Sequence, residues 1–329
     1  MMAEKKRWKE FDSLRGMAIL MVLLYHSIIV FPIDLHEISW CSSLHTFLWT
    51  VQMPLFFLVS GFCYSFRGGY GAYALRKCRR ILIPHLVFSL LDILPRMIPN
   101  PLVHEQMDGK EAILDFLCYG GSDWFLWTLF VIAMLFPLFD RLYHTSRVGA
   151  ALTVLLGLLL YAIKPFMTDF LLLNMVSQYL LYYILGYILR KKEMILSKLL
   201  GQRRNLLPAL FCMLAAFAGI PASGQNRYVE LLCVAASFFF FFALAGCIGK
   251  RLERFLNLCG RWSLQMYLLD AYALVLTRTL LVSILEIRSP VVIICGNFIL
   301  DTGIVLALSC YLLPKTKLFR VCCGIPEEG

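Results

Sequence analysis

From Met17 to Pro314 the chain alternates long apolar runs with short polar breaks. A helix that crosses the hydrocarbon core of a bilayer needs about 20 mostly apolar residues. Runs of that kind fall at roughly 17–34, 46–66, 81–98, 124–142, 149–167, 170–190, 205–221, 228–248, 262–283 and 290–313, which makes ten expected spans. Two joins, 164–169 and 221–228, are short enough for a pair of runs to form one re-entrant hairpin. In lipid every backbone amide must be satisfied within its own segment. The pattern therefore predicts an all-α polytopic bundle, with one integral membrane domain covering 1–329.

Composition supports that reading. Hydrophobic residues make up 60% of the chain and charged residues 16%, with a mean hydropathy of +0.74. These values exclude a secreted disulfide scaffold and a disordered chain. A formal charge of +10 would suit a nucleic-acid partner only if the cations formed a soluble patch, and they do not. With ten spans and the N-terminus in the cytoplasm, twenty-four of the 31 lysines and arginines fall on inner segments and five on outer ones. Cytoplasmic loops are enriched in Lys and Arg, so the surplus reads as a topology signal. It puts both termini inside and the 99–123 loop outside.

The first apolar run is too long for a signal-peptide core and is followed by further spans, so no cleavable leader is expected. The phenylalanine run 238–242 reads as lipid-facing surface. The twelve cysteines show no metal-ligand spacing, and no metal is expected. Cys41 and Cys118 fall near the outer face, where a disulfide is conceivable, and the vicinal Cys322 and Cys323 are either a lipid attachment point or inert.

Polar groups inside a membrane are costly, so they lead to chemistry. His26 follows Arg15 by eleven residues, almost three helical turns, and Asp12 precedes Arg15 by three. The three share one helix face. At about 1.5 Å per residue His26 lies roughly 16 Å deeper than Arg15, near the middle of the bilayer. Such an imidazole faces the bundle interior, either as a functional group or as a buried histidine donating to a carbonyl. Asp270 and Asp301 also fall near mid-depth, with Arg278 eight residues beyond Asp270 as an internal ion-pair partner. The loop Arg67–Arg80 packs Arg76, Lys77, Arg79 and Arg80 against the third run. Those cations suit a phosphorylated ligand, anionic lipid or topology alone.

Five landmarks occur in order along nearly the whole chain: Asp12-Ser13-Leu14-Arg15-Gly16-Met17-Ala18-Ile19 with Tyr25-His26; Met53 to Phe62; Arg76-Lys77-Cys78-Arg79-Arg80-Ile81-Leu82-Ile83-Pro84; Trp124-Phe125-Leu126; and Gly260 to Leu269. This set resembles the membrane-bound acyltransferase-3 family. The resemblance implies around ten spans in a membrane, with the bacterial cytoplasmic membrane as the expected location. It also implies transfer of an acetyl or other short acyl group from cytoplasmic acetyl-CoA or another acyl-CoA. The expected acceptor is a hydroxyl of a cell-surface polysaccharide, another envelope carbohydrate or a lipid-linked precursor, with membrane lipid around the bundle and no nucleic-acid partner.

Residue by residue, His26 matches the family's essential first-span histidine and Arg15 its paired arginine. Arg76 and Arg79, with Arg80 beside them, match its cytoplasmic arginine motif, where the donor's phosphates are expected. Ser60, Trp124, Tyr267 and Asp270 are carried as substrate-contacting candidates. Where the family often ends its ninth-span motif in histidine this chain has Asp270, which either positions the acceptor or has no catalytic role.

A sugar hydroxyl is a poor nucleophile. A neutral imidazole can take its proton as it attacks a thioester, while a cation or backbone donor stabilises the oxyanion. The same imidazole could instead carry the acyl group covalently. The rival class is a secondary transporter or flippase that uses Asp270, Asp301 and Arg278 as a pathway through the membrane, although no inverted repeat is visible in the sequence.

Overall fold

The computed structural model describes residues 9–29, 35, 37–97, 108–121, 123–192, 203–220 and 226–325, and every regular element among them is helical. In chain order these are α1 (Lys9–Ile28), α2 (Ser39–Phe62), α3 (Gly69–Lys77), α4 (Ile83–Arg96), α5 (Gly109–Cys118), α6 (Trp124–Thr145), α7 (Arg147–Ile163), α8 (Leu173–Lys191), α9 (Leu206–Ala218), α10 (Arg227–Ala245), α11 (Lys250–Arg261), α12 (Ser263–Arg278), α13 (Pro290–Ala307) and α14 (Lys317–Cys322). Counting their continuations, eight helices among the described residues are long and apolar enough to cross a membrane.

Two of the ten expected spans fall short of that length. The 81–98 run gives α4, of 14 residues, preceded by a π-turn at Cys78–Leu82. The turn carries Arg79 and Arg80, so the chain stays helical there while the apolar stretch is cut short. The 205–221 run gives α9, of 13 residues, and its expected end runs past the described residues. Lys5, Lys6, Arg7 and Lys198, counted on the inner side, lie outside the described residues as well.

The 164–169 join is a pair of 3₁₀ turns, Lys164–Phe166 and Phe170–Leu172, between two full-length helices. Leu171 and Leu172 adopt φ values of 52° and 55° there, a conformation that costs a side-chain-bearing residue about 1–2 kcal/mol. The Trp127 indole N–H donates to the Leu171 carbonyl at 3.0 Å and helps hold the turn.

The described residues form two compact units, each drawn from two parts of the chain: Met1–Val59 with Leu189–Leu306, and Ser60–Ile188 with Ala307–Gly329. In the first, α1 packs along α11 and α12, and α10 against α9. The α1–α11 contact depends on two glycines. A Cβ on Gly16 would run into the Leu256 carbonyl, and one on Gly260 into the Asp12 carbonyl. Ser13 reinforces the pair by donating to Asn257 Oδ1 at 3.0 Å. The short α11, with four basic residues on one side and Leu256 and Cys259 buried on the other, was not among the expected spans. Its apolar stripe rests on α1, and its charged face excludes it from lipid.

In the second unit α6 pairs with α7, and the turn before α4 packs on α6. There a Cβ on Gly61 would strike the Tyr183 carbonyl, so α2 ends in close contact with α8. Large apolar side chains such as Leu155, Leu159, Phe211, Leu232 and Ile299 are exposed. In a bilayer they meet acyl chains.

Candidate active site

The first unit holds His26, Asp270 and Asp301. α1 keeps its hydrogen bonds from Lys9 to Ile28 and places His26 in its last turn. The first two turns lie beside amphipathic α11, so the apolar part of α1 begins near Met17. His26 is nine residues, about 14 Å, beyond that point. Asp270 lies seven residues into α12, about 11 Å from its start, which matches that depth. α1 and α12 pack together, and Nδ1 of His26 hydrogen-bonds Oδ2 of Asp270.

The Asp270 side chain is 1% exposed and that of His26 33%. The carboxylate is sealed in, whereas the imidazole keeps an edge that a ligand can reach. A carboxylate accepting from Nδ1–H leaves Nε2 with its lone pair, which is the state a base or nucleophile requires.

Aromatic rings flank the histidine. Tyr25 stacks on His45 at 4.4 Å between centroids, stands 5.6 Å from Trp49 and tilts 5.4 Å from the His26 ring. Trp49 is 43% exposed. Asp301 of α13 is also fully buried, and its carboxyl interacts with that of Asp270. Asn297, one turn earlier on α13, is also fully buried, and neither of its side-chain polar atoms has a partner among the described residues.

The sequence expectation paired Asp270 with Arg278. The structure gives Asp270 two other neighbours, His26 and Asp301. Eight residues of α12 separate Arg278 from Asp270, about 12 Å along the axis. His26 therefore does not donate to a backbone carbonyl, and the residue missed as its partner was Asp270. The available signal was equal depth on two spans, which sets a distance from the membrane centre but not a direction around the helix. Arg15 stands about 16 Å along α1 from His26, so it is not at the imidazole. Tyr267, half-buried, is one turn before Asp270 on α12.

The remaining expected residues lie in the second unit. Ser60 is half-buried near the end of α2. Trp124 begins α6, its ring 5.5 Å from that of Tyr179. Arg76 lies in the last turn of α3, Arg79 and Arg80 lie in the π-turn, and all three are exposed. Arg76 also donates to the Arg67 carbonyl. Lys77 sits between them with its ammonium 5.5 Å from the Tyr73 ring centroid. Burial, reinforced by Arg80 and Arg76, pushes that amine down to about 8.

Gly324, at φ 64°, follows α14 and lies so close to the π-turn that a Cβ there would strike the Arg80 carbonyl. Cys323, beside it, is 2% exposed, and burial pushes its thiol up to about 11. A raised thiol is protonated at neutral pH and a weak nucleophile. Cys41 and Cys118 are both free thiols. No cluster of three His, Cys, Asp or Glu side chains suited to a metal ion occurs among the described residues.

No curated protein and no solved structure matches this chain. The model of the acyltransferase domain, acyltransferase-3, matches residues 8–312, nearly the whole length. With that match, and with eight helices fit to cross a bilayer, the chain belongs to the acyltransferase-3 family of integral membrane acyltransferases.

Proposed function

We propose that this membrane acyltransferase is an O-acyltransferase that moves an acetyl or other short acyl group from cytoplasmic acyl-CoA to a hydroxyl of a cell-surface carbohydrate or lipid-linked precursor. The observation that carries this reading is the His26–Asp270 contact, a sealed carboxylate against a reachable imidazole. Asp270 holds the proton on Nδ1, so Nε2 takes the hydroxyl proton as the oxygen attacks the thioester carbonyl. Asp270 then stabilises the imidazolium that forms. The C–S bond breaks, and the proton passes to the departing thiolate. In the covalent variant Nε2 attacks the thioester itself and passes the acyl group on.

The ring faces beside His26, with Trp49 open, suit the apolar face of a sugar. Arg76, Arg79 and Arg80 would grip donor phosphates through charge-assisted hydrogen bonds, and Ser60, Trp124 and Tyr267 are candidate substrate contacts. Arg15, three turns from the imidazole along α1, is not at the reacting carbonyl. The test is mass spectrometry of surface glycans and lipids from cells carrying the native chain or His26→Ala at matched membrane levels. Acyl groups that appear with the native chain and vanish with the variant are expected. Identical acylation in both would overturn the reading.

A further inference from the structure

Asp301 enters the site from α13, fully buried, and its carboxyl interacts with that of Asp270. Both oxygens of Asp301 and Oδ1 of Asp270 find no N–H or O–H donor among the described residues. Two ionised carboxylates have only acceptors to offer each other. Burying both charges without water would be strongly unfavourable. One proton between them resolves the mutual repulsion and the orphaned acceptors together.

We propose that Asp301 is a positioning residue of the acyl-transfer site: it keeps a proton and donates it to Asp270, so that the pair's single negative charge stays on Asp270 against Nδ1 of His26. This rests on the reading of His26 given above. The count of one proton matters in both directions. With no proton, two negative charges beside His26 would lock the ring as an imidazolium, which cannot act as a base. With two protons, Asp270 would be neutral and could not stabilise the imidazolium formed during transfer. In the reaction Asp301 neither gains nor loses a proton, since the proton taken from the hydroxyl goes through His26 to the thiolate.

The experiment is infrared spectroscopy of the purified full chain in a detergent free of ester carbonyls, at neutral pH and without substrate. It is run in an Asp123→Asn background, because burial pushes the carboxyl of Asp123, at the start of α6, up to about 7 and it would contribute its own band. A carbonyl stretch of a protonated carboxylic acid, shifted by exchange into heavy water, is expected and should disappear in Asp301→Asn. Its absence from the parent protein, or its persistence unchanged in Asp301→Asn, would overturn the proposal.

A kinetic arm uses the amide as a conservative replacement that can still donate to Asp270. Asp301→Asn should keep kcat within about tenfold of native. Asp301→Ala, lacking a hydrogen bond to a charged group, should lose a further tenfold or more with KM for acyl-CoA unchanged. Equal activity of the Asn and Ala variants, both well expressed, would also count against it. Because the infrared band is read without substrate, it reports on the shared proton even if His26 variants were to refute the transfer mechanism.

Discussion

His26 on α1 and Asp270 on α12, separated by 244 positions in the sequence, meet side chain to side chain inside one unit of the fold. The contact gives the buried aspartate a partner. It also sets which imidazole nitrogen is protonated. Buried carboxylates are tolerated when they are hydrogen-bonded, and here one oxygen of Asp270 is bonded to the His26 ring.

Asp270→Asn should therefore lose activity with little change in shape. An amide at this position can turn its NH₂ toward Nδ1, so that the ring carries its proton on Nε2 instead, and it has no charge with which to stabilise the imidazolium. A fall in kcat of about 10²–10⁴-fold is expected, with KM for acyl-CoA nearly unchanged and membrane levels maintained. Steady-state kinetics in detergent or proteoliposomes reads both parameters, and a native kcat would remove Asp270 from the mechanism.

Glutamine at position 26 keeps hydrogen-bonding capacity but cannot accept a proton at neutral pH or form an acyl-imidazole. His26→Gln should lower transfer by about 10²–10⁴-fold, as expected for the loss of a general base, while its thermal midpoint stays close to native. A histidine with only a structural role would show the opposite: transfer retained and stability changed. Paired activity and thermal-shift measurements on the same preparation separate the two.

Much of this was legible in the sequence, and what was not has physical reasons. Apolar length fixes the existence of a span, so the long runs at 17–34, 46–66, 124–142 and 290–313 each correspond to a helix able to cross the membrane. It fails where charge interrupts helicity without ending it: Arg79 and Arg80 lie in a π-turn before α4. Amphipathic α11 was invisible to a search for continuous apolar runs, because half of its residues face away from α1. Depth along each span placed His26, Asp270 and Asp301 at similar levels. Which helices lie side by side is decided by packing, and small residues such as Gly16 and Gly260 mark that only after the partner is known.

Those glycines give a stability prediction with a sign. Replacing a helical glycine with alanine ordinarily stabilises by up to about 1 kcal/mol. At Gly16 the new Cβ would meet the Leu256 carbonyl, which belongs to backbone and cannot swing aside. Overpacking of that kind costs about 1–3 kcal/mol, so Gly16→Ala should lower the thermal midpoint. Gly303→Ala, where a Cβ meets open space, is the control and should leave it unchanged or raise it. Equal effects at the two positions would show that α1 and α11 are less closely packed than described.

The arginines of the α3–α4 junction are exposed and close in sequence. If they grip the donor's phosphates, Arg76→Ala with Arg79→Ala should raise KM for acyl-CoA by tenfold or more, since each charge-assisted contact contributes about 1.5–3 kcal/mol. kcat at saturation should hardly move. An unchanged donor titration would leave these residues a purely topological role.

Asp123 caps the start of α6 without a side-chain hydrogen bond to the helix, and burial, reinforced by nearby Asp92 and partly offset by Arg96, pushes its carboxyl up to about 7 from 3.8. Between those two values the folded chain holds a proton that the unfolded chain has released. Stability from this group is therefore complete below about 4, declines as pH rises through the window, and levels off above about 7. Asp123→Asn is neutral throughout and sacrifices no capping bond. Its thermal midpoint should match the native protein near pH 4 and exceed it by a few degrees at pH 8, with the gap opening across the window. Differential scanning measurements at pH 4, 6 and 8 in one detergent would show this. A gap that stays constant with pH would mean that Asp123 ionises in the folded protein as readily as in the unfolded chain.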